Sequence, residues 1–251
     1  MYLLEVKHLK KICSEDFSLE DISFEIGEKG TYGFLGKHGS GKTLLANILA
    51  GACENDGGSI FYKDRELYIN EKQTADVKRK IGYVPATCIF DKDLLAFEVL
   101  DLIGKAKKIE PDKRFRQIKE ALELTGLSLK SETLVEELAP NEKKRLMIAS
   151  SLLGNPDVII MDEPLRLLEK KQADEIKKLI AMLENKKVLL IFSSNPSEIE
   201  EMCKNIAILH EGRIVLWERI DELMEVMKKN GLGDVSNVLD ALTEKSGKEE
   251  E

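Results

Sequence analysis

Gly36, Lys37, His38, Gly39, Ser40, Gly41, Lys42 and Thr43 form one run that fits the pattern GxxxxGK[ST]. Glycines at those positions let the backbone wrap with its N–H groups turned inward, a nest for phosphate oxygens. Lys42 would bring a positive charge to the β- and γ-phosphates of a triphosphate, and the Thr43 hydroxyl is a ligand type suited to Mg2+. A glycine-rich turn can match this pattern by accident, in on the order of 1% of chains of this size at average glycine usage. The flanks argue against accident. The apolar run TYGFL (31–35) reads as a buried strand entering the loop, and LLANIL (44–49) reads as a helix leaving it, whose N-terminus adds partial positive charge. Lys37 and His38 occupy the free positions of the pattern, as loop side chains near the phosphates.

A second constellation is VIIMDE (158–163), an apolar run ending in two acids. It is expected to place Asp162 at the C-terminal end of a strand, beside the phosphate loop, where it can orient Mg2+ through water. Glu163 then stands where it can polarise a water for attack on the γ-phosphorus. Short apolar stretches followed by Asp-Glu are common, so the meaning comes from the pairing with the first run.

Elements must hold these residues in register. Strand-like stretches open the chain at Leu3–Val6 and Asp21–Ile26, and others fall at Ser59–Tyr62 and Ile81–Val84. From about Thr87 to Gly154 the pattern becomes helical, with apolar spacing at Phe97–Ile103 and Ile118–Leu124. A third helix is expected from Pro140-Asn141, with Asn141 as its N-cap. Strand and helix then alternate again. Val158–Met161 and Val188–Phe192 are continuous apolar runs, as parallel strands covered on both faces require. Between them Ile176, Leu179, Ile180 and Leu183 form a helical stripe. Ile206–Leu209 and Arg213–Trp217 read as a hairpin around Glu211-Gly212. Helices are expected at Asp221–Lys228 and Val235–Leu242, and the end KSGKEEE is expected to be disordered. The alternation predicts an α/β fold with a largely parallel sheet and an inserted helical block.

Composition narrows the function classes. The 251 residues are 43% hydrophobic and 33% charged, enough for a packed core, and the net charge of −8 argues against nucleic acid as a partner. Cys13, Cys53, Cys88 and Cys203 show no CxxC spacing, so reduced thiols are expected rather than a zinc site. No apolar run is long enough to cross a bilayer, and the N-terminus does not read as a signal peptide. If the chain serves a membrane, the spanning part is expected on another chain.

From Leu3 to Lys228 the sequence resembles the ATP-binding domain of ABC transporters. The resemblance rests on GKHGSGKT, on IGYVP, on the helical insert, on VIIMDEP and on AILHEGRIV followed by DEL. It implies a P-loop NTPase of α/β class, a RecA-like core with a mixed sheet, an N-terminal antiparallel β-subdomain and an inserted helical subdomain. It divides the chain into a nucleotide-binding domain at 1–230, with core segments 1–86 and 151–230 and a helical subdomain at 87–150, then a C-terminal helix and charged tail at 231–251. It implies ATP and Mg2+ as cofactors, Gly36–Thr43 as the nucleotide contact, Thr43 and Asp162 at the metal, and Glu163 as the catalytic base. It further implies a head-to-tail dimer with a second ABC ATPase subunit, homo- or heterodimeric, an integral membrane permease, and a peripheral location on the cytoplasmic face. Phe90 and Leu94-Leu95 are candidate permease contacts or ordinary core.

Five motifs depart from the family pattern. Ala86 stands where a glutamine usually touches Mg2+ and the permease. Leu138-Ala139-Pro140-Asn141-Glu142 stands for the signature LSGGQ, which grips the γ-phosphate held by the opposite subunit. Pro140 removes a backbone N–H, and Glu142 adds a charge that repels phosphate. Asn195 takes the place expected for a γ-phosphate-sensing histidine, Glu169 that of an aspartate, and Cys13 that of the aromatic that stacks on adenine, with Phe17 close by as a substitute. The pattern predicts strong ATP binding with slow hydrolysis. The alternative is an impaired subunit that uses ATP as a regulatory or structural ligand. A soluble relative without a permease would carry paired ATPase domains or coiled coils, and a P-loop kinase would share only the Gly36 loop.

Overall fold

The computed structural model describes residues 2–15, 17–229 and 233–245. Apart from Lys245, the charged end KSGKEEE lies outside them. Strands β1 (Leu4–Ile12) and β2 (Ser18–Ile26) alternate buried and exposed positions, as a sheet with one solvated face demands. β3 (Gly30–Leu35) is buried at every position. After it come α1 (Lys42–Leu49), β4 (Gly57–Tyr62), β5 (Arg65–Glu66), α2 (Glu71–Lys78) and β6 (Ile81–Val84). The helical block holds α3 (Ala96–Ala106), α4 (Pro111–Leu124) and α5 (Pro140–Leu152). The chain then runs through β7 (Val158–Asp162), α6 (Lys170–Glu184), β8 (Val188–Ser193), α7 (Pro196–Met202), β9 (Asn205–His210), β10 (Arg213–Arg219), α8 (Ile220–Lys229) and α9 (Val235–Lys245).

The strands form a 4-stranded antiparallel sheet, β2-β1-β4-β5, and a 6-stranded sheet, β10-β9-β3-β8-β7-β6. The larger sheet is parallel except where the β9–β10 hairpin adds an antiparallel edge. The fold is therefore α/β with a mixed sheet beside an antiparallel one, as expected. Side-chain alternation decides which face each residue serves. Val158, Ile160, Val188, Leu190 and Phe192 pack toward α1 and the antiparallel sheet. Ile159, Met161, Leu189 and Ile191 pack on the other face with residues of α6, α7, α8 and α9. Phe34 stacks on Phe192 at 4.5 Å and meets Phe24 of β2 edge-on at 5.3 Å, which joins the two sheets. A third core, built from α3, α4, α5 and the turns between them, belongs to the helical block.

Three local readings need correction. α2 and α7 were not anticipated, because α2 buries only Val77 and α7 is a short segment behind Pro196. The N-cap of α5 is Ala139, not Asn141: Pro140 takes the first helical position, where its fixed φ and missing N–H cost nothing. The cap is completed by Glu142, whose carboxylate accepts a hydrogen bond from the Ala139 N–H at 2.9 Å.

Candidate functional site

The loop between β3 and α1 is shaped by backbone constraints before any side chain acts. Gly39 and Gly41 have φ of 84° and 101°, a region that side chains with a Cβ enter at a cost. A Cβ on Gly41 would also meet Leu19 Cδ2 at 2.6 Å and Phe17 Cζ at 3.0 Å. The loop is tied to the β9–β10 hairpin by Gly212 N–H, which donates to the Ser40 carbonyl at 3.2 Å, and is closed on itself by Ser40 N–H, which donates to the Lys37 carbonyl. The hairpin tip thus braces the loop from below. α1 starts at Lys42 with no side-chain cap and no acid in its first turn, so the amides that a helix leaves without intrahelical acceptors keep their positive end undiluted.

Lys42 is only 7% exposed, and its Nζ donates to the carbonyls of Gly36 (2.7 Å) and Lys37 (3.0 Å). Burial pulls its pKa down, and the nearby charges of Glu163 and Asp162 pull it part of the way back. A buried ammonium whose direct partners are carbonyl dipoles is a cation that phosphate oxygens would meet.

β7 carries Asp162 to the same place. The Thr43 hydroxyl donates to Asp162 Oδ2 at 2.8 Å across the gap between loop and strand. Asp162 is 1% exposed and its Oδ1 has no hydrogen-bond partner. Burial raises its pKa, the Thr43 hydrogen bond opposes that, and the charge of Glu163 adds to it. An orphaned buried carboxylate oxygen beside a hydroxyl is a donor set for a hard divalent cation, and Mg2+ takes one or two such ligands together with substrate phosphates and water. Among the described residues no cluster of three or more His, Cys, Asp or Glu forms a metal site, so such a cation would depend on the phosphates.

Glu163 follows directly. Its φ is 46°, its N–H donates to the Phe192 carbonyl at 2.8 Å, and its Oε1 accepts from the Ser194 N–H at 3.0 Å. The residue whose N–H meets the Glu163 carboxylate is thus Ser194. Asn195, the position at which a phosphate-sensing side chain was expected, is the N-cap of α7: its Oδ1 accepts from Ser197 N–H and its Nδ2 donates to Glu198. Capping aims the amide along α7, whereas Ser194 sits beside the acid.

The remaining sequence positions divide. Lys37 reaches Asp240 on α9 at 3.0 Å and His38 is exposed. Cys13 is exposed, and the half-buried Phe17 lies against Gly41, the last glycine of the loop. Phe90 packs against two of the apolar cores, while its neighbour Ile89 is 73% exposed. Sequence reading missed Lys144, a residue of α5 that is 4% exposed and donates to the carbonyls of Ala86 (3.0 Å) and Glu163 (3.3 Å). Nothing in its local sequence, KKR, separated it from the solvated lysines around it.

Comparison with known proteins is consistent with this geometry. A sequence model of the ABC transporter family matches residues 19–166. The bacitracin transport ATP-binding protein BcrA of Bacillus licheniformis is 30% identical over 229 residues, covering 90% of this chain and 73% of BcrA. The linearmycin resistance ATP-binding protein LnrL of Bacillus subtilis (strain 168) is 27% identical over 214 residues, covering 85% of this chain and 68% of LnrL. The dimeric ATP-binding cassette MJ0796, solved in a post-hydrolysis state with ADP and Pi, superposes with a TM-score of 0.77 at 21% identity, covering 86% of this chain and 98% of that one.

Proposed function

The chain belongs to the ABC transporter family, and from that premise we propose that it binds MgATP at Gly36–Thr43, hydrolyses it slowly, and drives a separate membrane permease. The observation that carries the reading is the contact of Thr43 with the otherwise orphaned Asp162, next to the buried ammonium of Lys42. In this reading Gly36, Lys37, His38, Gly39, Ser40, Gly41, Lys42 and Thr43 surround the phosphates, Thr43 and Asp162 hold Mg2+, and Glu163 is the general base. When bound there, Mg2+ would supply charge neutralisation to the phosphates. Lys42 and the loop amides orient the phosphoryl oxygens, and Glu163 orients water and takes its proton. Phe17 supports the adenine in place of an aromatic at position 13. The nucleotide-binding domain spans 1–230, with its helical subdomain at 87–150.

Slow turnover follows from what surrounds the γ-phosphate. Ala86 and Ser194 offer no side-chain amide or imidazole there. The N-terminus of α5, which in a head-to-tail dimer would face the partner's nucleotide, already holds the Glu142 carboxylate on the Ala139 N–H. An anion at that end competes with phosphate for the same helix terminus. Each missing transition-state donor costs roughly 10²–10³-fold in rate. The partners of this reading are a second ABC subunit, identical or not, and an integral membrane permease. No helix among the described residues is long and apolar enough to cross a membrane.

The test is a calorimetric titration with MgATP beside a steady-state phosphate-release assay, each with and without permease-containing membranes. Tight binding with weak turnover is expected. Turnover comparable with an intact transporter ATPase overturns the slow-hydrolysis reading. Phosphate release that stays at background even with the permease favours ATP as a regulatory ligand.

A further inference from the structure

Lys144 is a buried cation that reaches from the helical block across to the ends of two strands of the parallel sheet. It leaves α5, is 4% exposed, and sends Nζ to the Ala86 carbonyl beyond β6 and to the Glu163 carbonyl beyond β7. Its sequence neighbours face elsewhere: Lys143 donates to the Glu136 carbonyl, and Arg145 pairs with Glu175 and donates to the Thr125 carbonyl. Burying an ammonium is costly unless acceptors and opposite charge meet it. Here two carbonyls and the nearby acids Asp162 and Glu163 do so.

The contact falls on a strained residue. Glu163 has φ of 46°, a left-handed backbone that a residue with a Cβ adopts at a cost. Its N–H is fixed to Phe192 of β8, its carboxylate to the Ser194 N–H, and its carbonyl to Lys144 and to the Arg166 N–H. Lys144 is the part of this frame that comes from the helical block. We propose that Lys144 is a positioning residue for Glu163: it holds the strained peptide so that the carboxylate is aimed, and it makes that aim depend on the seating of α5 against the ends of β6 and β7. This rests on the reading of Glu163 as the general base.

The experiment uses the full chain, with Lys144→Met to keep the aliphatic stem, Lys144→Gln as a second variant should Met fail to fold, and Lys144→Arg to restore the charge. MgATP affinity is measured by calorimetry, and hydrolysis by single-turnover phosphate release. Lys144→Met is expected to bind within about 3-fold of wild type and to hydrolyse roughly 10–100-fold more slowly, the cost typical of losing an outer-shell support. Lys144→Arg is expected to recover most of the rate. An unchanged rate in Lys144→Met, a loss of affinity as large as the loss of rate, or no recovery with arginine overturns the proposal. If wild type itself releases no phosphate, the hydrolysis reading fails and amide exchange decides the positioning role. Lys144→Met should then speed exchange of the Ser194 and Arg166 amides at least about 10-fold while the amides of β8 stay protected. Unchanged exchange at Ser194 and Arg166 overturns it.

Discussion

Replacing Lys42 by methionine separates binding from stability. In the protein without nucleotide the Lys42 ammonium is buried, its pKa is pulled down by that burial, and its direct partners are the carbonyls of Gly36 and Lys37. The charge therefore adds little to the fold, and methionine keeps the volume of the stem. Apo Lys42→Met should unfold within about 1 kcal/mol of wild type, since lost hydrogen bonds and relieved desolvation oppose each other. Binding behaves differently. A charge-assisted hydrogen bond contributes about 1.5–3 kcal/mol, so contacts to both the β- and γ-phosphates contribute roughly 3–6 kcal/mol, or about 10²–10⁴-fold in Kd. At MgATP one hundred times the wild-type Kd, wild type gains about 2.7 kcal/mol, a rise of roughly 5–10 °C in Tm for a chain of this size. At the same concentration Lys42→Met should rise by about 2 °C or less. Differential scanning fluorimetry with and without MgATP reads both numbers. A full nucleotide-induced shift in the variant refutes the assignment of Lys42 to phosphate. A loss of more than about 3 kcal/mol in the apo variant shows Lys42 to be a structural residue instead.

Other consequences are as direct. Glu163→Gln should leave MgATP affinity within about 3-fold, because the residue acts on water, while single-turnover phosphate release falls by about 10²-fold or more; calorimetry and a phosphate sensor measure the pair. Ile160→Ala, at a position 1% exposed in the first core, should cost about 2–5 kcal/mol in urea unfolding. Lys107 donates to the carbonyls of Ile81 and Leu153, and burial, reinforced by the charges of Lys187 and Lys80, lowers its pKa to about 8. Because the unfolded chain then binds the extra proton between pH 8 and 10.5, wild type should gain up to about 3 kcal/mol of stability relative to Lys107→Met across that window. Denaturant melts of both proteins at pH 7 and pH 10.5 check the sign.

The run Gly36–Thr43 and the pair Asp162-Glu163 stand out in the sequence because the chemistry proposed for them would need contiguous residue types. Gly41 must reach φ of 101° with Phe17 and Leu19 against it, and only glycine does both. The buried strands were legible for a similar reason, since β7 and β8 face packed side chains on both sides and so read as unbroken apolar runs. α2 was hidden because it lies on the surface with one buried residue, Val77, so its pattern shows no stripe. Asn195 follows β8 in the sequence, but which residue caps α7 depends on where that helix begins, and the Asn195 amide oxygen accepts from the Ser197 N–H. Lys144 was invisible for a different reason. Its partners Ala86 and Glu163 are distant in sequence and are bonded through their carbonyls, which every residue has.

Everything proposed for this chain requires the β3–α1 loop and Asp162 to form one cup for a magnesium-bound triphosphate. A crystal structure with Mg2+ and a non-hydrolysable ATP analogue would show that cup filled or empty. The predicted result has the phosphates inside the loop, Lys42 Nζ moved from the Gly36 and Lys37 carbonyls onto phosphate oxygens, and the cation beside Thr43 with Asp162 facing it. Phosphates bound elsewhere, or a loop occupied while Lys42 stays on its carbonyls, would contradict it.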